Sequence, residues 1–162
     1  MPHSLSSISN NLSSEAGNRN PFPLSKNFTS SSIFNGVNSN RNKHILVIED
    51  DTVILEYLSK LLEWEGYLVQ CASNGSDALK LLQSVSPLPG LILLDLAMPI
   101  MDGFQFREAQ ESDGRIAVIP VVIMTADRNV ESKSMKIGAK DFVKKPLDFD
   151  DVLSTILRYY LN

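Results

Sequence analysis

Five short apolar runs, each ended by a polar or charged residue, limit what this chain can fold into more than any other feature. The first, His44-Ile45-Leu46-Val47-Ile48, is largely β-branched and stops at Glu49-Asp50-Asp51. Behind it Val53, Ile54, Tyr57, Leu58, Leu61 and Leu62 recur with the period of an amphipathic helix, and Gly66 supplies its stop. Residues 67–71 read as a second strand, Asn74-Gly75 as the turn after it, and Ala78, Leu79 and Leu82 as a short helix closed by Pro87 and Pro89. Leu91-Ile92-Leu93-Leu94 is apolar throughout and ends at Asp95, the pattern of a central strand buried on both faces.

The alternation then repeats. The pattern predicts a helix over 102–111, a strand over 118–124 ending at Thr125, and a shorter helix near 130–137 closed by Gly138. The strand Asp141-Phe142-Val143-Lys144 follows, ending at Lys145-Pro146. Phe149, Val152, Leu153, Ile156, Leu157 and Tyr160 then form a clean helical stripe. Strands alternating with helices require right-handed crossovers and a parallel sheet covered on both faces. The fold predicted is α/β, open and doubly wound, with five strands.

Residues 1–42 stand outside this series. They hold 11 Ser and 9 Asn, and their apolar residues keep no period. Such a segment buries too little surface to offset the entropy of ordering it, so it is expected to be a disordered, solvated tail, with the folded domain at 43–162. Any docking role for the tail would fall to Phe22, Phe28 and Phe34. Trp64 and the pair Tyr159-Tyr160 fall at helix ends, where amphipathic rings need no special role.

Composition removes several classes. A net charge of −4 argues against a direct nucleic-acid binder, which carries a basic face. One cysteine, Cys71, excludes a disulfide scaffold, and it is expected to be an inert buried thiol ending an interior strand. The longest apolar stretch, 116–124, has nine residues including a proline, too short to span a membrane. The first 20 residues hold no apolar signal region, so the expected location is cytoplasmic.

In a parallel sheet of this kind the carboxyl ends of the strands share one edge, where ligands bind. Here that edge collects Glu49, Asp50 and Asp51, then Asp95, Thr125 and Lys145. Carboxylates gathered so closely repel one another unless a cation joins them, and hard oxygen ligands suit Mg²⁺ or Mn²⁺. A carboxylate beside such an ion, with a hydroxyl and an ammonium opposite, has the parts for phosphoryl transfer. Asp95, ending the most apolar strand, is the best nucleophile. The only histidines, His3 and His44, build no hydrolase triad, and no glycine-rich nucleotide loop is present. Asp51 is expected to cap the first helix.

These residues resemble the receiver domain of two-component response regulators. The matching pieces are Ile45-Leu46-Val47-Ile48-Glu49-Asp50-Asp51, Leu94-Asp95-Leu96-Ala97-Met98-Pro99-Ile100-Met101-Asp102-Gly103, Val122-Ile123-Met124-Thr125-Ala126 and Gly138-Ala139-Lys140-Asp141-Phe142-Val143-Lys144-Lys145-Pro146, together covering about 43–162. The resemblance implies a flavodoxin-like sheet in the order 2-1-3-4-5. It implies that Asp95 takes a phosphoryl group from a phosphohistidine, and that Glu49, Asp50, Asp95 and the backbone carbonyl of Ala97 hold the metal. Thr125 and Lys145 match the family's catalytic hydroxyl and lysine, before a commonly cis Lys-Pro bond; Lys144 should point the other way. Thr125 and Phe142 match its switch pair.

The partners so implied are a sensor histidine kinase or a histidine phosphotransfer protein, and an unknown downstream protein. The expected role is a signalling phosphoacceptor rather than an enzyme. About 16 residues follow Lys145-Pro146, so a single-domain regulator acting by phosphorylation-dependent protein contact is expected. The alternative is an adaptor that uses the fold without phosphorylation. An aspartate-nucleophile phosphatase is disfavoured, because Ala97 stands where those enzymes carry a second aspartate.

Overall fold

The computed structural model describes residues 44–126 and 137–160. Strands β1 (His44–Ile48), β2 (Leu68–Ala72), β3 (Leu91–Asp95), β4 (Val121–Thr125) and β5 (Asp141–Lys144) form one parallel sheet in the order β2-β1-β3-β4-β5. Helices α1 (Thr52–Trp64), α2 (Gly75–Ser84), α3 (Gly103–Ser112) and α4 (Phe149–Tyr160) cover it. The helix expected near 130–137 falls mostly on 127–136, outside the described residues.

Alternation along the strands sorts the core into two layers. Ile45, Val47, Leu91, Leu93, Val122 and Met124 turn to one face and meet Leu58 and Leu62 of α1 and Val152 and Ile156 of α4. Leu46, Ile48, Ile92 and Leu94 turn to the other and meet Ala78 and Leu82 of α2 and Phe106 of α3. Each such leucine or isoleucine taken from water is worth about 1.5–3 kcal/mol, so a one-residue slip of register would forfeit a whole layer. β1, β3 and β4 are buried from end to end, as their uninterrupted apolar runs require.

Local chemistry sets the boundaries. Asp51 caps α1, accepting from the N–H groups of Val53 at 2.9 Å and Ile54 at 3.2 Å, and Gly66 at φ 89° closes it. Asn74 caps α2 through Asp77 N–H at 3.0 Å, so Asn74-Gly75 begins a helix rather than forming a separate turn. Asp102 and Gln105 form a reciprocal capping box on α3.

Two expectations are corrected. β4 starts at Val121 rather than 118, because the Ile116 and Ile119 carbonyls accept from Gln110 Nε2 at 2.9 and 3.1 Å. Those residues bury their side chains while Val118 points to solvent. Cys71 is exposed rather than buried, because β2 is an edge strand.

Candidate functional site

The acidic edge is built by the ends of β1 and β3. Glu49 extends β1 by one step, its N–H bonded to Ala72 O at 3.0 Å, and its side chain is buried. Asp50 follows, exposed, and Asp51 is used as the helix cap. Asp95 is the last residue of β3, and its Oδ2 accepts from the Ala97 N–H at 3.2 Å. Gly103 lets α3 begin directly against that strand end. A Cβ there would come within 2.5 Å of Asp95 O and 2.8 Å of Leu96 Cα.

Lys145, just past β5, anchors its N–H on Thr125 O at 2.8 Å. Its ammonium donates to Glu49 Oε1 at 2.9 Å and lies 2.8 Å from Glu49 Oε2 and 2.9 Å from Asp95 Oδ1. Burial pushes the Glu49 carboxyl up, with Lys145 opposing. For Lys145 burial pulls downward, but bonds to the two carboxylates outweigh it and the ammonium is held above its ordinary value. One lysine thus braces two buried acids.

Carboxylate oxygens of Glu49, Asp50 and Asp95 lie within 4.8 Å of one another. Two full charges at that distance, at an effective dielectric of about 20, repel by roughly 3 kcal/mol, and Lys145 supplies only one positive charge against three. Glu49 Oε2 is buried, with the Lys145 ammonium 2.8 Å away but no hydrogen-bond geometry. A hard carboxylate set whose negative charge exceeds what its one lysine offsets, and which is open to solvent at Asp50, fits a small divalent cation.

The other expected residues fall as follows. Thr125 is buried at the end of β4, one strand over from Asp95. Phe142 pairs with Ile123 across the sheet and packs in a small cluster with Leu96, Ile137 and Ala139. Ala97 follows Asp95 by two residues and is exposed. Lys144 is exposed, its Nζ 5.8 Å from the centre of the Phe142 ring. The Lys145–Pro146 peptide is cis.

One polar cluster has no counterpart among the sequence expectations. Arg107, buried on α3, donates from Nε to Ile137 O at 2.9 Å, from Nη1 to Gln110 Oε1 at 2.6 Å and from Nη2 to Gly138 O at 3.3 Å. It also pairs with Glu111. An arginine beside a phenylalanine on a helix gives no local sign that its partners lie thirty positions away.

Glu49, Asp50, Asp95 and Lys145 thus share the carboxyl edge of one doubly wound parallel sheet. The family model of the response regulator receiver domain matches residues 45–157. Among curated proteins the chain is similar to the DNA-binding dual master transcriptional regulator RpaA of Synechocystis, 38% identical over 69% of this chain and 46% of that protein. It is also similar to Protein PilH of Pseudomonas aeruginosa, 32% identical over 69% of this chain and 93% of that one. Among solved structures, chemotaxis protein CheY4 of Vibrio cholerae superposes with a TM-score of 0.66 at 28% identity, covering 72% of this chain and 98% of that one. The chain belongs to the response regulator receiver family. It spans about half the length of the first curated relatives it matches. Among the described residues no helix is long and apolar enough to cross a membrane.

Proposed function

We propose that Asp95 accepts a phosphoryl group from a phosphohistidine on a sensor kinase or a histidine phosphotransfer protein. The observation that carries this reading is the ammonium of Lys145 held 2.9 Å from Asp95 Oδ1 at an acidic strand edge. A carboxylate oxygen of Asp95 attacks phosphorus, the phosphorus–nitrogen bond breaks, and the donor imidazole leaves with its electron pair. Glu49, Asp50, Asp95 and the Ala97 carbonyl would hold Mg²⁺ or Mn²⁺. That ion, when bound, neutralises charge on the phosphoryl oxygens. Lys145 neutralises them from the opposite side, and the Thr125 hydroxyl donates a hydrogen bond to one of them.

The signalling step follows from the same contacts. A phosphoryl oxygen that draws Thr125 inward leaves space beside β5, and Phe142 turns to fill it. The chain thereby shifts between two arrangements that differ in their contacts to the phosphoryl group. Output is contact with a downstream protein, made through the receiver domain at 43–162 that the polar segment 1–42 precedes, in the cytoplasm. Incubation of the full chain with a small-molecule phosphodonor and Mg²⁺ should add one phosphoryl mass. Asp95→Asn should abolish it, and persistence of the added mass in that variant would overturn the assignment.

A further inference from the structure

The described fold leaves one line of large apolar side chains in the open. Val53, Tyr57 and Trp64 stand at i, i+4 and i+11 on α1, so they share one flank, and they are 75%, 39% and 51% exposed. The core-facing side of the helix is a different one, carrying Leu58, Leu61 and Leu62. Ser59 and Glu63, on the opposite flank, face Cys71 of β2, so the line is turned away from that edge of the sheet. Single exposed apolar residues are ordinary, but here three lie along about 16 Å of one flank, with Lys60, paired to Glu56, between Tyr57 and Trp64.

Position, reach and charge single out one occupant. α1 returns from Asp51 to the turn that feeds β2, and Leu68 at the start of β2 pairs with His44 at the start of β1. Trp64 therefore lies at the sheet edge where residues 1–43 join the fold. Ile33, Phe34 and Val37 are the last apolar residues before His44. The residues 38–43 between them and the strand span up to about 20 Å when extended, enough to lay that cluster along the strip. Residues 1–43 carry Arg19, Lys26, Arg41 and Lys43 against Glu15 alone. Segment 50–65 carries Asp50, Asp51, Glu56, Glu63 and Glu65 against Lys60 alone.

We propose that the segment 33–37 docks in the same molecule on the Val53, Tyr57 and Trp64 flank of α1, with Arg41 and Lys43 near Glu63 and Glu65 at the C-terminal end of that helix. A tether this short holds the segment at millimolar effective concentration, so contacts too weak to bind a free peptide suffice. The proposal departs from a wholly solvated tail and is independent of the chemistry at Asp95.

Trp64 is the only tryptophan in the chain, so its fluorescence reads the strip directly. In the full-length protein a covered Trp64 emits at shorter wavelength and resists quenching by acrylamide. Replacing Ile33, Phe34 and Val37 together by serine should shift emission to the red and raise the quenching constant several-fold, at every protein concentration. Arg41→Glu with Lys43→Glu should give a smaller shift of the same sign. Identical emission and quenching in wild type and the serine variant would overturn the proposal. So would protection of Trp64 that fades on dilution, since the strip would then be covered by a second copy.

Discussion

Glu49 and Lys145, ninety-six positions apart in the chain, meet with Nζ 2.9 Å from Oε1 and 2.8 Å from Oε2. The pair joins the end of β1 to the loop after β5, across the sheet positions of β3 and β4, and the same ammonium reaches Asp95 on β3. A cation shared by two buried carboxylates is a strut in the resting fold, and in the proposed reaction it is the group that meets the incoming phosphoryl oxygens. Stability and chemistry therefore draw on the same nitrogen.

Removing that nitrogen should cost stability first. Lys145→Met leaves Glu49 and Asp95 buried without a counter-charge, a loss of about 3–5 kcal/mol in metal-free buffer. Adding Mg²⁺ should recover part of it, because a divalent ion answers the same repulsion. Urea unfolding with and without Mg²⁺ measures both effects. A metal-free loss under about 1 kcal/mol would show that the ammonium is not the brace described.

Metal binding should be visible without any phosphodonor. With Mg²⁺ at a hundred-fold excess over its dissociation constant, binding to the folded chain adds about 2.7 kcal/mol, which raises Tm by about 11 °C in a folded domain of ~120 residues. Asp50→Ala deletes one of the three mutually repelling carboxylates, so it should raise the metal-free midpoint while removing most of the Mg²⁺-induced rise. An equal rise in both proteins, followed by calorimetry, would remove Asp50 from the ligand set.

Most of the fold is legible in the sequence because each strand carries its own signature. β1, β3 and β4 are apolar runs, and the polar residue that ends each one lies on the sheet's carboxyl edge whatever the detailed geometry. That is why Glu49, Asp95, Thr125 and Lys145 can be gathered from residue order alone. What local sequence does not encode is lateral position. Cys71 is exposed because β2 lies at the sheet's edge, and the run 116–119 resembles a strand until Gln110, on another element, takes two of its carbonyls. Arg107 gives no signal for the same reason, since its partners at 137 and 138 become neighbours only through the tertiary fold.

The start of α3 tests how tightly Asp95 is seated. Gly103→Ala gains helix propensity worth about 1 kcal/mol, yet its Cβ would meet the Asp95 carbonyl and Leu96 Cα, which are backbone and cannot step aside. Overpacking of this kind costs about 1–3 kcal/mol, so a net loss is expected, with slower phosphorylation of Asp95 from a small-molecule donor. Gly114 has nothing within 4 Å of the same added atom, and Gly114→Ala should be neutral or slightly stabilising. Equal effects at the two sites would refute the close approach.

The Arg107 cluster separates a buried bond from an exposed one. Its guanidinium serves the carbonyls of Ile137 and Gly138 and the amide oxygen of Gln110, all within the protein, whereas the side chain of its ion-pair partner Glu111 is 51% exposed. Arg107→Met strands those acceptors and should cost about 3 kcal/mol, while Glu111→Ala should cost at most about 1 kcal/mol. Paired urea titrations decide it, and a Glu111 effect as large as that of Arg107 would place the energy in the ion pair instead.

The alkaline limb of the stability curve should respond to Tyr159. Its hydroxyl donates to Lys140 O at 2.9 Å and lies 3.4 Å from Asp141 Oδ2. Burial, followed by the neighbouring Asp141 charge, holds the phenol above its ordinary value of 10.0. Between that value and the raised one the folded chain keeps a proton that the unfolded chain has released, so stability falls as pH climbs. The contribution is complete below pH 10.0 and disappears as pH passes through the folded value. Tyr159→Phe has no proton to lose, so the stability gap between wild type and variant should be constant near neutrality and narrow steadily above about pH 10. Urea midpoints of the two proteins across that range provide the measurement, and a gap that widened with pH would mean the hydroxyl is more acidic in the fold than out of it.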